Sequence, residues 1–183
     1  MTVAFWSSVT GERSSRAGLV LFSSIWTSSR SRNCALEAFS TPQRVVDRAL
    51  LAAKVATVRD AVARIRAVLP SDRSEFVADR TAREVVILNL FVGLQECVSL
   101  AAHWLADEGS VVPQSYREAF LRLGQQGAVP QDLAARLAAA SGLRNLVAHR
   151  YGALDWTRIY DIAASGLDDL VSFCDSLARR TAE

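Results

Sequence analysis

The chain has 183 residues, a length that fits one domain with a substantial core. Half of its residues are hydrophobic and only 22% are charged, a composition in which excess apolar surface is often buried by self-association. The net charge of +2 comes entirely from residues 1–40, because residues 41–183 contain 17 basic and 17 acidic side chains. This balance argues against binding of nucleic acid through bulk charge, so any RNA contact must be local.

Residues 1–40 differ in composition from the rest of the chain. They include ten serines, four arginines and two of the four tryptophans. A short apolar run at residues 17–22 follows two arginines but lacks the cleavage site of a secretory signal peptide, so secretion is the weaker alternative. We expect this segment to be a disordered extension or to lie upstream of the true translation start, which a GTG codon at Val45 or Val46 could provide. The helical domain is expected to span residues 41–183.

The cysteines and histidines indicate the cellular compartment of the protein and whether it binds a metal or another cofactor. Cys34, Cys97 and Cys174 are odd in number and widely spaced, which favours buried free thiols and a reducing cytoplasm. The two histidines are far apart and no carboxylates cluster with them, so neither a metal site nor another cofactor is expected. No apolar run appears long enough for a membrane span, and no membrane association is expected.

From residue 41 onward the pattern is helical. Thr41 followed by Pro42 predicts a helix start, and Pro70 predicts its end. The apolar residues that recur between them at spacings of three and four are Leu51, Val55, Val58, Val62, Ile65 and Leu69. A turn or brief helix is expected over residues 72–79.

The second predicted helix, at about residues 80–107, is apolar on nearly every face. Such a helix must be covered on nearly all sides, which is difficult within one small bundle. We therefore expect part of its surface to form a homodimer interface. Two interpretations of its narrow polar stripe remain open: a solvated face, or a supporting role for Glu96 or Ser99 beside a catalytic motif across the dimer cleft. The stripe consists of Asn89, Glu96, Ser99 and His103.

The remaining elements are also helical. A short helix over residues 115–123 precedes a Gly-Gln-Gln-Gly loop, and a longer helix begins at Pro130 and ends at Gly152. Gly142 interrupts the apolar pattern of this helix, so a local irregularity is expected there. Asp155 is expected to cap a last helix that runs to about residue 179. The predicted fold class is all-α: a dimeric, antiparallel bundle of four to five helices.

The most informative stretch is Arg-Asn-Leu-Val-Ala-His-Arg-Tyr at residues 144–151. It lies within residues 133–154, which contain no Asp or Glu but three arginines and a histidine. An acid-free basic segment attracts anions, and histidine titrates near neutral pH. An arginine beside a histidine suits phosphodiester cleavage, in which one stabilises the phosphorane and the other moves protons. A surface helix end with solvated arginines is the alternative interpretation.

This stretch resembles the signature of the HepT-type toxins in the HEPN ribonuclease superfamily. The matching positions are Arg144, His149 and Tyr151, with Asn145 after the arginine, and the likeness extends over about residues 44–180. The resemblance implies an HEPN-like dimer in which two copies of the motif meet. The chain departs from the family at Ser99, where HepT-like chains often have an aspartate, so a role for that carboxylate is in doubt.

The resemblance and the chemistry together predict metal-independent RNA cleavage. His149 would take the proton from the ribose 2′-OH, and Arg144 would stabilise the charge that develops on the phosphate. Asn145 would position the phosphate or fix the histidine tautomer, and Arg150 would contact an RNA phosphate. On an ideal helix, positions five apart differ by about 140° in azimuth. Arg144 and His149 therefore act together only if the helix distorts before His149 or a second copy completes the site.

The resemblance also implies a regulatory partner. In HepT-like systems a minimal nucleotidyltransferase antitoxin transfers AMP to the motif tyrosine, here Tyr151, and the added bulk and charge would block the groove. The leading function is therefore a toxin ribonuclease neutralised by AMP transfer. The alternatives are a non-catalytic HEPN dimer module, which binds a nucleotide or a nucleotidyltransferase, and a plain helical scaffold.

Overall fold

The computed structural model describes residues 48–149 and 154–182, and every regular element in these ranges is an α-helix. The predicted all-α class is therefore confirmed. The expected boundary at residue 41 and the helix start at Thr41 and Pro42 lie outside the described residues. The helices are α1 (Arg48–Val68), α2 (Arg73–Ala78), α3 (Arg80–Asp107), α4 (Tyr116–Gln125), α5 (Gln131–His149), α6 (Trp156–Ser165) and α7 (Leu167–Ala182).

The helix α1 packs along α3 through the apolar stripe that its sequence predicts. Five of the six predicted residues are buried, and Leu69 packs against the core from the end of the helix. The two helices are also joined by an ion pair in which Lys54 Nζ lies 2.7 Å from Glu96 Oε2, and both side chains are largely buried. This pair places the middle of α1 beside the middle of α3.

Aspartates set the starts of three helices. Asp72 caps α2, Asp79 caps α3 and Asp155 caps α6, and each carboxylate accepts hydrogen bonds from two backbone N–H groups of the first turn. The brief helix and the cap at Asp155 are both confirmed predictions. The Tyr160 hydroxyl donates a hydrogen bond to the Ser71 carbonyl oxygen at 2.7 Å and so anchors α6 to the loop before α2.

The central helix α3 has the bounds that the sequence predicts, Arg80–Asp107. By length and composition it is apolar enough to cross a membrane, so the expectation that no run approaches a membrane span was wrong. However, 61% of its most apolar window is buried against the other helices. It is the core helix of the bundle, and a turn containing Gly109, whose φ is +66°, follows it.

The helices α4 and α5 run antiparallel. A Cβ atom on Gly124 would lie 2.8 Å from Ala134 Cβ, so this glycine permits close approach at one end of the pair. At the other end, the Tyr116 ring lies against Arg144. The irregularity expected at Gly142 is absent from α5, which is continuous to His149. One glycine costs a helix only about 1 kcal/mol, and the buried apolar residues on either side outweigh that cost.

The last predicted helix is divided in two, which corrects the expectation of a single helix to about residue 179. Gly166 lies between α6 and α7, and its backbone N–H donates a hydrogen bond to the Ile162 carbonyl oxygen at 2.8 Å. Glycine favours such a break because it loses more backbone entropy in a helix than other residues do. Cys97 and Cys174 are buried free thiols, as predicted, whereas Cys34 lies outside the described residues.

Candidate functional site

The motif arginine, Arg144, is buried near the end of α5, with only 6% of its surface exposed. Its Nε donates a hydrogen bond to Gln95 Oε1 at 2.5 Å. Its guanidinium carbon lies 5.0 Å from the centre of the Tyr116 ring and 5.8 Å from that of Phe91. Residues from α3 and α4 therefore fix the position of a charged side chain on α5.

The charge of Arg144 is not neutralised by any carboxylate among residues 48–149 and 154–182. Burial of an uncompensated charge is costly, and here the aromatic ring faces and the Gln95 amide oxygen provide the compensation. An arginine has five N–H donors. Within the described residues only Nε is used, by Gln95, so the four donors on the terminal nitrogens have no partner there and suit an anion.

The Tyr116 hydroxyl does not supply the missing negative charge. Burial raises the pKa of this phenol, and the nearby Arg144 guanidinium lowers it by a smaller amount. The net direction keeps Tyr116 protonated at neutral pH. Arg144 therefore faces a neutral aromatic ring rather than a phenolate.

The residues Phe91, Gln95 and Ser99 recur every four positions and so share one face of α3. Arg144 contacts the first two, and Ser99 lies one turn farther along the same face. Ser99 is only 7% exposed, so the interpretation of the polar stripe as a solvated face is wrong at this position. A supporting role for the Ser99 hydroxyl stays a prediction.

The predicted supporting residue Glu96 lies on a different side of α3. Consecutive residues of a helix point about 100° apart, and Glu96 pairs with Lys54 of α1 rather than with Arg144. Within one chain the structure therefore does not bring Glu96 to the motif. A role across a dimer cleft would require this ion pair to be broken.

The second motif residue, His149, is the last residue of α5. The side chains of Asn145 and His149, together with residues 150–153, lie outside the described part of the chain, and so do the predicted roles of Arg150 and Tyr151. The backbone of α5 is helical throughout, which excludes a distortion before His149. Positions 144 and 149 therefore differ by about 140° around the helix axis, and completion of the site by a second copy stays a prediction.

Sequence reasoning assigned no role to three residues that hold Arg144: Gln95, Phe91 and Tyr116. Gln95 is 49 positions from its partner, and no local pattern connects the two. The sequence feature that could have identified Gln95 is its polar amide on the apolar helix α3, four residues before Ser99. Among the described residues, no three His, Cys, Asp or Glu side chains come together as a metal site would require. The expectation of a metal-free site stays a prediction.

Three comparisons with known proteins identify a family match, a related protein and similar solved structures. The family described as "Ribonuclease HepT-like" matches residues 58–177. The chain is 33% identical over 122 residues to the mRNA nuclease HepT of Shewanella oneidensis strain MR-1. The aligned region covers 67% of this chain and 91% of that protein.

Two solved structures are similar over nearly their full length. One is a toxin–antitoxin complex with AMP-PNP (TM-score 0.67, 30% identity, 72% of this chain and 98% of the other). The second is the tri-AMPylated Shewanella oneidensis HEPN toxin in complex with the MNT antitoxin (TM-score 0.66, 31% identity, 71% and 97%). The family match spans the helices that hold Arg144, and the chain therefore belongs to the HepT-like ribonuclease family.

Proposed function

We propose that this protein is the toxin of a toxin–antitoxin pair and that it cleaves RNA at a site built from Arg144 and His149. The observation that carries the proposal is the buried Arg144 guanidinium, which the neutral Gln95 fixes while four N–H donors are left for an anion. The relatives described as an mRNA nuclease and as toxin–antitoxin complexes support the same role.

The proposed reaction is transesterification without a metal ion. His149 removes the proton from a ribose 2′-OH, and the 2′ oxygen attacks the adjacent phosphorus. Arg144 stabilises the additional negative charge on the phosphorane. The bond to the 5′ oxygen then breaks, and an imidazolium of a second copy donates a proton to that leaving oxygen. Asn145 positions the phosphate or the histidine, Arg150 contacts a further phosphate, and the reaction takes place in the cytoplasm.

A homodimer would supply the second motif. On α3, Leu88 is 60% exposed, and the neighbouring Val85, Phe91 and Val92 are only partly covered. This apolar strip lies beside Gln95 and hence beside Arg144. A second copy packed on the strip would bury it and bring two motifs together, and the continuous α5 helix is compatible with such a shared site. We propose no catalytic role for Glu96, because Lys54 holds it within the chain.

A nucleotidyltransferase antitoxin would control this activity through Tyr151. The Shewanella oneidensis HEPN toxin that resembles this chain is tri-AMPylated in its complex with the MNT antitoxin. Position 151 follows Arg144 by seven residues in the sequence. Each AMP adds a phosphate, and a phosphate near Arg144 would occupy the donors that the RNA needs.

The first prediction concerns dependence on His149 and on the 2′-OH. The purified protein should cleave single-stranded RNA in the presence of EDTA, and His149→Ala should lower the rate by about 100-fold or more, because general acid–base catalysis contributes that much. RNA with a 2′-deoxy nucleotide at the cleavage position should not be cut there. Induction of the wild type alone should arrest bacterial growth, and the variant should not.

The matched control is Arg64→Gln, since Arg64 is an exposed residue of α1 that pairs only with Asp60 one turn earlier. This variant should cleave RNA at the wild-type rate. Equal cleavage by His149→Ala would contradict the mechanism and leave the non-catalytic HEPN dimer module. Loss of activity in EDTA would instead contradict metal independence.

The second prediction concerns the free charge of Arg144. Gln95→Glu keeps an oxygen within reach of Arg144 Nε but compensates the charge of the guanidinium, so kcat should fall about 100-fold, the lower end of the effect of losing one donor that stabilises transition-state charge. Gln95→Met removes the hydrogen bond and keeps the charge, so it should lower kcat less than Gln95→Glu. Single-turnover cleavage assays measure both effects. Wild-type kcat in Gln95→Glu would show that the charge of Arg144 is not used.

The third prediction concerns the dimer. Leu88→Glu places a charge in the apolar strip of α3 and should convert the protein to monomers at micromolar concentration, with loss of RNA cleavage. Val111→Glu is the matched control, because Val111 is a 76% exposed apolar residue in the loop between α3 and α4. It should leave the dimer intact. Sedimentation velocity distinguishes the two states, and a monomeric wild type would contradict the composite site.

The fourth prediction concerns Tyr151. Co-expression with the nucleotidyltransferase should add one or more AMP groups to the peptide that contains Tyr151 and should suppress cleavage. Tyr151→Phe keeps the ring but lacks the acceptor hydroxyl, so it should fold, cleave RNA and escape modification. Intact-mass spectrometry with fragmentation measures the increment and its position. Modification of Tyr151→Phe to the wild-type extent would exclude Tyr151 as the acceptor.

A further inference from the structure

A second arginine packed on an aromatic ring has no carboxylate partner among residues 48–149 and 154–182. Arg83 is in the first turn of α3, and its guanidinium carbon is 5.0 Å from the centre of the Trp156 ring. Trp156 is the first residue of α6. Arg144 and Trp156 thus flank the sequence of the motif, and both contact α3.

The contacts that Arg144 and Trp156 make with α3 lie at different levels of that helix. Arg144 meets α3 at Phe91 and Gln95, whereas Trp156 meets it at Arg83. Arg83 precedes Phe91 by eight residues, a separation of about 12 Å along the helix axis.

The charge of Arg83 is uncompensated among the described residues. Its Nε is buried and has no hydrogen-bond partner, and the structure gives its guanidinium no ion pair in residues 48–149 or 154–182. The nearest acids in sequence have other partners. Asp79 caps α3, Glu84 accepts a hydrogen bond from Arg80, and Asp155 caps α6.

This arrangement is costly for stability alone. The buried Nε of Arg83 has no hydrogen-bond acceptor among the described residues, and the Trp156 ring offsets part of the hydration that it loses. By contrast, the exposed arginines at positions 59, 64 and 66 pair with aspartates. The contact with the Trp156 ring restricts the guanidinium, so less side-chain entropy is lost when it binds a phosphate.

We propose that Arg83, held against Trp156, binds a phosphate that flanks the cleaved one on the RNA strand. The separation of about 12 Å from the level of Arg144 is too large for both arginines to hold one phosphate group. The two cations instead bind different phosphates of the same polyanion. This inference rests on the proposed ribonuclease function and adds a binding subsite to it.

The test measures binding and cleavage separately. Binding of a 2′-O-methyl oligonucleotide, which cannot be cleaved, is followed by fluorescence anisotropy at several salt concentrations. Arg83→Gln should raise Kd about tenfold, the effect of losing a hydrogen bond between charged groups. It should also reduce the slope of log Kd against log salt by about 0.7, the value for one phosphate contact on a single strand. In cleavage assays KM should rise by a similar factor while kcat is unchanged.

Two variants separate a binding role from a structural one. Arg83→Lys keeps the charge but cannot stack as a plane, so it should keep the wild-type salt slope with a smaller rise in KM. Arg64→Gln removes a charge from a distant exposed position and should change neither Kd nor the slope. A salt slope in Arg83→Gln equal to that of the wild type would overturn the proposal.

The substrate provides a test that does not depend on the folding of Arg83→Gln. A neutral methylphosphonate is placed in turn at each phosphate that flanks the cleavage site. At one position the methylphosphonate should raise the KM of the wild type about tenfold. The same methylphosphonate should raise the KM of Arg83→Lys by less, because changes to two groups that contact each other are not additive. A KM independent of every flanking phosphate would overturn the subsite.

The outcomes for the subsite and for the ribonuclease are distinguishable. If the wild type cleaves RNA and Arg83→Gln matches it in KM and salt slope, the subsite fails and the ribonuclease stands. If the wild type does not cleave RNA, the proposed function fails and the subsite with it. If Arg83→Gln binds RNA normally but is no longer modified at Tyr151, Arg83 contacts the antitoxin and the RNA assignment is wrong.

Discussion

The site depends on the burial of a positive charge without a carboxylate partner. Arg144 is stabilised by an amide oxygen and two aromatic rings, and these come from α3 and α4 rather than from its own helix. The bundle must therefore hold three helices in fixed positions for the guanidinium to be oriented. The close approach of α4 and α5 at Gly124 contributes to this, because it aligns the far end of α4 with Arg144.

Most of the helices could be predicted from the sequence, because their apolar residues repeat with helical spacing and aspartates mark several starts. The bounds of α3 and the caps at Asp79 and Asp155 depend on such local signals. The two errors in the helices both concern glycine. Gly142 lies within a helix that buried neighbours stabilise, whereas Gly166 lies at the boundary between two helices. Sequence alone does not distinguish these cases, since tertiary packing decides between them.

The candidate site could be predicted only in part. The spacing of Arg144, His149 and Tyr151 identifies the motif, but the residues that make Arg144 effective are distant in sequence. Gln95 is 49 positions away from Arg144, and no sequence pattern connects the two residues. Glu96 was the more conspicuous neighbour because it is charged, yet its charge is used by Lys54. A one-residue difference on a helix changes the direction of a side chain by about 100°, which a linear pattern does not reveal.

An acid-free stretch of sequence is not by itself an anion site, as the arginines of residues 133–154 demonstrate. Arg136 Nε donates to both carboxylate oxygens of Asp169 at 3.0 Å, and Asp132 accepts a further hydrogen bond from its Nη1. These partners raise the pKa of Arg136, with the Asp169 hydrogen bond as the largest cause. Its charge is therefore compensated within the fold, while that of Arg144 is available to a ligand. A guanidinium that packs on an aromatic ring and has no acidic partner among the described residues also occurs at Arg83, on a different helix.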